Sequence, residues 1–183
     1  MCKKSMKPFL TLLIFGWLVF SASPVLAQNP KSTANKSTTV TWVSYDTGLE
    51  NAKKENKPIM VDFYTSWCGW CKKMDKETFA HKDVSKFLSQ DYVAVKLNAE
   101  SGKKLKIGGQ DLTEREVAKD FKVTGYPTIC FLKADGDKIG CLPGYAGPEH
   151  FVNVLSYIKD KAYEKNIHLQ DYIKQKEEKK SGS

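Results

Sequence analysis

An α/β domain with a central mixed β-sheet and helices on both faces is the fold class this sequence predicts, on three observations. Short apolar runs of strand length, such as Ile59-Met60-Val61-Asp62-Phe63-Tyr64, alternate with stretches whose apolar residues recur at helical spacing. The last two strand-like runs flank Ala134-Asp135-Gly136-Asp137, whose Asp-Gly marks a hairpin and so adds an antiparallel pair to the sheet. Two cysteines, Cys68 and Cys71, stand where the run 59–64 gives way to a helical stretch, Lys72 to Phe79.

Residues 1–27 follow a different grammar. Lys3, Lys4 and Lys7 precede an apolar run from Phe9 to Phe20, and Ser21, Ser23 and Pro24 lead into Val25-Leu26-Ala27. The run is shorter than the roughly 20 residues of a membrane span, so it reads as a secretory signal peptide, similar to a bacterial Sec leader; a retained anchor is the competing reading. Cleavage near Ala27 would place the protein in the periplasm or outside the cell. It would leave 156 of the 183 residues, enough for one domain, and lower the net charge from +8 to +5, because the leader holds three lysines and no acid. Arg115 is the only arginine, which argues against a nucleic-acid partner.

Residues 28–39 lack apolar periodicity and read as a flexible segment, with the domain proper over 40–163. Val40 to Ser44 suggests a first strand, and Thr47 to Glu55 a helix with Leu49 and Ala52 inward, closed by Asn56-Lys57-Pro58. After strand 59–64 and the cysteine-bearing helix, Asp83 is the expected cap of a helix carrying Val84, Phe87 and Leu88, and Tyr92 to Leu97 a further strand. Residues 99–112, with three glycines and three lysines, read as a loop at the active-site end of the sheet, a surface insertion or a partner contact. Thr113 is the expected N-cap of a helix from Glu114 to Phe121. Pro127 to Leu132 and Lys138 to Leu142 form the terminal strands, and Pro148 to Tyr163 an amphipathic helix through Phe151, Val154, Leu155 and Ile158. The charged tail 164–183 is expected to fray.

The chemistry concentrates in Trp67-Cys68-Gly69-Trp70-Cys71. At a helix start, Cys68 faces unpaired backbone N–H groups that favour a thiolate, and Cys71, three residues on, shares its helix face at a spacing that allows a disulfide. A half zinc site or a purely structural bridge competes; no second close Cys or His pair completes a zinc ligand set, so no metal is expected. Asp62, among apolar neighbours on a buried strand, should have a raised pKa, with a solvent-facing strand residue as the alternative. Cys130 and Cys141 are left open between a structural disulfide, a second redox site and free buried thiols: a two-residue Asp135-Gly136 turn places them opposite each other, whereas a glycine bulge turns them to opposite faces.

With these features in register the chain resembles the thioredoxin superfamily over roughly residues 40–160. Val61-Asp62-Phe63, the CxxC with its preceding Trp67, Val95-Lys96-Leu97, Gly125-Tyr126-Pro127-Thr128, and Gly144 with Gly147 carry the resemblance. The run Cys71 to Phe79 with Asp83-Val84 is similar to exported thioredoxin-like proteins and to the C-terminal domain of the bacterial transmembrane thiol:disulfide interchange protein. Gly69-Trp70 departs from thioredoxin's Gly-Pro, and the proline of its long active-site helix is missing. The resemblance implies that Cys68, as the more exposed thiol, attacks a partner disulfide and that Cys71 resolves the mixed disulfide. It implies that Asp62 takes the proton of Cys71 with Lys96 nearby, a surface lysine being the other reading of Lys96. It also implies that Pro127 is cis, with Trp67, Gly69, Trp70 and Tyr126 shaping the substrate site.

The expected function is an exported thiol:disulfide oxidoreductase acting on protein disulfides as a reductase or electron relay. It would be a monomer, need no organic cofactor because the dithiol carries both electrons, and be re-reduced by a membrane electron-donor protein. An oxidase or isomerase is the alternative within the class; outside it stand a soft-metal-binding chaperone module and a redox-inert adaptor.

Overall fold

The computed structural model describes residues 39–181. The expected signal peptide 1–27 and the segment 28–39, save Thr39, lie outside the described residues. The elements run β1 (Trp42–Val43), α1 (Tyr45–Glu55), β2 (Ile59–Tyr64), α2 (Gly69–Met74), a π-helical turn (Asp75–Phe79), α3 (Lys82–Asp91), β3 (Val93–Asn98), β4 (Lys104–Ile107), β5 (Gln110–Thr113), α4 (Glu114–Asp120), β6 (Thr128–Leu132), β7 (Lys138–Pro143), α5 (Pro148–Lys159), a 3-10 turn (Ala162–Lys165) and α6 (Leu169–Ser181). Among the described residues no helix is long and apolar enough to cross a membrane.

Five strands form the main sheet in the order β1-β3-β2-β6-β7. β3 pairs parallel with β1 and β2, whereas β6 pairs antiparallel with β2 and β7, so the sheet is mixed. β2 lies at its centre and buries almost every residue, as a strand covered on both faces must. Alternation divides its side chains: Met60 joins a core with Met74, Phe79, Leu88, Phe151 and Leu155, and Val61 and Phe63 join a second with Ala52, Val95, Leu97, Val117 and Ala118. Helices α2, α3 and α5 therefore cover one face, and α1 and α4 the other. Gly48 lets α1 come close to β3, since a Cβ there would sit 2.3 Å from Val95 Cγ2.

Four local expectations need correction. The expected loop 99–112 contains an antiparallel hairpin, β4–β5, turning at Gly108-Gly109, both of positive φ, and it buries Leu105 in the second core. The tail is not frayed over its length: α6 docks on α5, with the Tyr172 ring 5.6 Å from that of Tyr157 and Lys176 Nζ donating to Ser156 Oγ at 2.7 Å. α3 starts at Lys82, capped by His81, whose Nδ1 accepts from Asp83 N–H, rather than by Asp83. The helix of the last apolar repeat ends at Lys159, with Ala162–Lys165 forming a separate 3-10 turn.

The β6–β7 hairpin differs in detail from the two-residue turn. Lys133 N–H donates to Asp137 O, leaving a three-residue loop with Gly136 at φ 96°. That loop alone would shift the register by one. Ile139 is an extra residue on β7, since Leu132 pairs with Lys138 and Phe131 with Gly140, and this bulge restores the pairing of Cys130 with Cys141. Their sulfurs are bonded, with the Cα atoms 4.0 Å apart.

Candidate active site

The cysteines sit where the central strand β2 hands over to α2. Thr65 is buried, its carbonyl accepts from Cys68 N–H at 3.2 Å, and the chain turns into the helix with Cys68 as N-cap. Sγ of Cys68 accepts a hydrogen bond from Cys71 N–H at 3.0 Å, taking the place that a Ser or Asp oxygen usually fills, and is bonded to Sγ of Cys71. In this oxidised form both residues are 4% exposed, so the expectation that Cys68 is the more accessible is not met. The N-cap interaction draws the sulfur of Cys68 in over the first turn rather than out to solvent. Beyond α2, the five-residue π turn carries the chain past the position where the sequence offered no proline.

Around the buried disulfide stands an aromatic collar. Trp67 and Trp70 are 64% and 57% exposed, which excludes a core role for either. Trp67 Nε1 donates to Glu100 Oε2 at 2.9 Å, and its ring meets that of Tyr126 edge-on at 6.0 Å. Glu100 follows β3, whose parallel pairing with β2 brings both strand ends to one side, and Arg115 holds the Glu100 carbonyl at 2.6 Å. On the other flank the Trp70 ring lies 5.6 Å from Tyr145, and Lys73 Nζ lies about equally close to both rings, at 5.0 and 5.1 Å. Tyr145 donates to Glu77 Oε2 at 2.7 Å. The bond between Tyr126 and Pro127 is cis. A Cβ added at Gly69 would meet nothing within 4 Å, so packing does not demand glycine there.

Beneath the helix lies a charged cluster. Asp62 shares the sheet face of Met60, which packs with Met74 of α2, and is itself buried. Its register partner Lys96 places Nζ 3.6 Å from Asp62 Oδ2, and the same ammonium donates to Asp75 Oδ1. Lys96 is thus a partner of Asp62, and its charge also faces the rings of Trp42 at 4.9 Å and Tyr64 at 5.3 Å. Burial pushes the Asp62 carboxyl up to about 7; the Asp75 charge adds to the rise, and Lys96 opposes it. Asp62 Oδ1 has no hydrogen-bond partner. A pocket lined by Trp42, Phe79, Asp75 and Lys96 opens onto this cluster. The larger surface hollow, lined by Pro58 and Ala134 among others, lies at the opposite end of β2 and does not concern the cysteines.

Among the described residues no three His, Cys, Asp or Glu side chains converge as a metal site would require. The structure brings Asp62, Lys96, Cys68, Cys71, Trp67, Trp70, Tyr126 and Pro127 to one end of the sheet, with Cys130 and Cys141 further along β6 and β7. It adds Asp75, Glu100 and Tyr145, which sequence reasoning did not single out. Asp75 alone had a local signal, as an acid four residues after Cys71.

The sequence matches the thioredoxin-like domain family over residues 45–159. It is 30% identical over 122 residues to the disulfide bond reductase DsbH of Chlamydia pneumoniae, covering 64% of this chain and 72% of that protein. It is 32% identical over 110 residues to the thiol:disulfide interchange protein DsbD of Vibrio cholerae, covering 59% of this chain and 17% of that one. The chain spans about a fifth of the length of the animal protein disulfide-isomerases it also matches, 20% and 21% in two of them. Among solved structures, a DsbH oxidoreductase superposes with a TM-score of 0.58 at 25% identity, over 73% of this chain and 94% of the other. The family match begins with α1 and ends with α5, enclosing both the cysteines and the cluster beneath them, and on it the chain belongs to the thioredoxin-like family of thiol:disulfide oxidoreductases.

Proposed function

We propose that this protein is an exported reductase or electron relay that transfers two electrons from the Cys68/Cys71 dithiol to protein disulfides. The observation that carries this reading is the N-cap hydrogen bond from Cys71 N–H to Cys68 Sγ, which supports a thiolate at Cys68 once the pair is reduced. That thiolate attacks one sulfur of the partner disulfide and expels the other as a thiolate. Cys71 gives its proton to Asp62 and attacks Sγ of Cys68, expelling the partner's remaining sulfur and closing the Cys68–Cys71 bond. The partner gains two electrons and takes up two protons. A carboxyl held up to about 7 by burial is matched to this proton at neutral pH, and Lys96 holds it in place.

The exposed rings of Trp67 and Trp70 and the half-buried ring of Tyr126 form the surface on which a partner segment docks beside Pro127, and the Gly69-Trp70 dipeptide adjusts the potential of the pair. Export rests on the leader at 1–27, and in an oxidising compartment the cycle calls for a membrane electron-donor protein. No organic cofactor enters the exchange. The reductase named among the relatives supports reduction over oxidation.

Equilibration of the purified chain against glutathione buffers tests the direction. A potential near about −270 mV is expected, and one near about −120 mV would make the protein an oxidase. Cys68→Ser should abolish turnover; retained turnover would remove the exchange mechanism itself.

A further inference from the structure

We infer that the second disulfide, Cys130–Cys141, is a positioning element of the exchange reaction: it fixes the two loops that flank Cys68 relative to each other and stays closed while Cys68–Cys71 turns over. The inference rests on the oxidoreductase reading above.

The hairpin that carries this bond brings both of its strands to the active site at its open end. β6 begins immediately after Tyr126 and Pro127, and Tyr126 meets Trp67. β7 runs into Gly144, whose N–H donates to Pro127 O at 2.8 Å, and then into Tyr145, which meets Trp70. The next residue, Ala146, accepts from Thr78 Oγ1 at 2.7 Å, tying the loop to the π turn behind α2. The two halves of the aromatic collar are therefore held by the two strands of one hairpin, side by side at its open end.

That hairpin is weak as a ladder. Among the described residues β7 is an edge strand, with β6 as its only neighbour in the sheet. It carries a bulge at Ile139, has no side chain at Gly140, and ends at Pro143, which is paired with Thr128 and has no N–H to donate. Such a strand slips or frays readily along its partner. The sulfur bond lies between the bulge and Pro143, three residues after Pro127 and four before Tyr145, where it stops that movement.

The two cysteines also differ in a way that keeps the bond shut. Cys130 is fully buried and packs in the core shared with Val61 and Leu97, while Cys141 is exposed. An attacking thiolate meets the sulfur of Cys141, forms a mixed disulfide there, and must expel the Cys130 sulfur as a thiolate into apolar surroundings. Desolvation makes it a poor leaving group. At the active site an attacking thiolate meets the sulfur of Cys68 and expels that of Cys71, which takes its proton back from Asp62.

Two measurements on the purified full-length chain test this. In the first, the native protein is equilibrated with dithiothreitol or glutathione, alkylated and peptide-mapped. Cys68 and Cys71 should label, whereas Cys130 and Cys141 should label only after unfolding; labelling of all four in the same buffers would make the second bond an exchanging centre and overturn the inference. In the second, Cys130→Val/Cys141→Thr, which keeps strand-forming residues at both positions, is compared with wild type. The potential of Cys68–Cys71 and turnover of a small aromatic disulfide should be unchanged, while KM for a protein disulfide should rise about tenfold at constant kcat, the cost of ordering one or two side chains on binding. An unchanged KM, or a shifted potential, would overturn the positioning role. Should that variant not fold, Cys141→Ser, which leaves Cys130 in place, carries the same expectation. Absence of protein-disulfide turnover in wild type would instead refute the oxidoreductase reading, with the labelling result still standing.

Discussion

The outward and inward sides of α2 are built on opposite terms. Outward, Trp67 Nε1 and Tyr145 Oη each donate to an acid of the same chain, Glu100 and Glu77, and the Trp67 and Trp70 side chains stay exposed to a partner. Inward, Asp62 keeps one oxygen without a partner and shares the Lys96 ammonium with Asp75. A hydrogen-bonded surface network is cheap to hold, and its members act locally. A buried carboxyl with an orphaned oxygen lowers stability whenever it is ionised. The contrast teaches that the outer side is organised for contact and the inner side for a proton, and mutations should separate the two.

Apart from the cysteines themselves, the largest effect is expected at Asp62. Asp62→Ala should slow resolution of the mixed disulfide by about a hundredfold at neutral pH, as loss of a general base does. Stopped-flow measurement of the mixed-disulfide lifetime checks this, and in wild type the rate should rise through a midpoint near pH 7, where the carboxyl loses its proton. Stability should run the other way. The folded value of about 7 lies above the ordinary 3.8, so between them the native state holds a proton that the unfolded chain has released. Unfolding free energy should therefore fall as the pH rises from about 4 to about 7, by at most about 4 kcal/mol, and denaturant melts of Asp62→Ala should lack that slope. A variant with wild-type rate and wild-type slope would remove the inner side's role.

Asp75→Asn should act in the same place with a smaller effect. Its charge helps to raise the Asp62 carboxyl, so its loss should move the midpoint of the resolving step to lower pH, leaving KM for a protein disulfide unchanged. A midpoint that stays put would mean that Asp75 only neutralises Lys96.

The same contrast decides which residues are legible in the sequence. Cys68, Cys71 and Asp62 were legible because each lies within a few residues of the signal that marks it: a strand of apolar neighbours, then a helix start. Glu100 was not, since it reaches Trp67 from 33 residues away through the parallel pairing of β2 and β3. Tyr145 was hidden in the same way, brought to Trp70 by the hairpin register, which itself depends on a bulge at Ile139 that no residue type announces. The β4–β5 hairpin was legible in principle: Gly108-Gly109 between alternating Leu105, Ile107 and Leu112 is a turn signal, outweighed by the lysines around it. α6 gave a weaker hint, because its charged composition matches a frayed tail and the contacts of Tyr172 and Lys176 with α5 carry no periodic apolar signal. That the Cys68 sulfur faces backbone N–H groups followed from its place at the helix start; its burial did not, since motif spacing places two cysteines together without saying how far their surroundings cover them.

The smallest effects should come from the outer side, where they also test its independence. Trp67→Ala should raise KM for a protein disulfide about tenfold with kcat unchanged, since it removes one large contact face and no reacting group. Glu100→Ala should raise KM only about twofold, the worth of one exposed hydrogen bond that steadies the ring. If Glu100 acts solely through that ring, the double variant should behave as Trp67→Ala alone, and the coupling in the cycle should equal the whole Glu100 effect. Additive changes would mean that Glu100 meets the partner directly and that the collar continues along the end of β3.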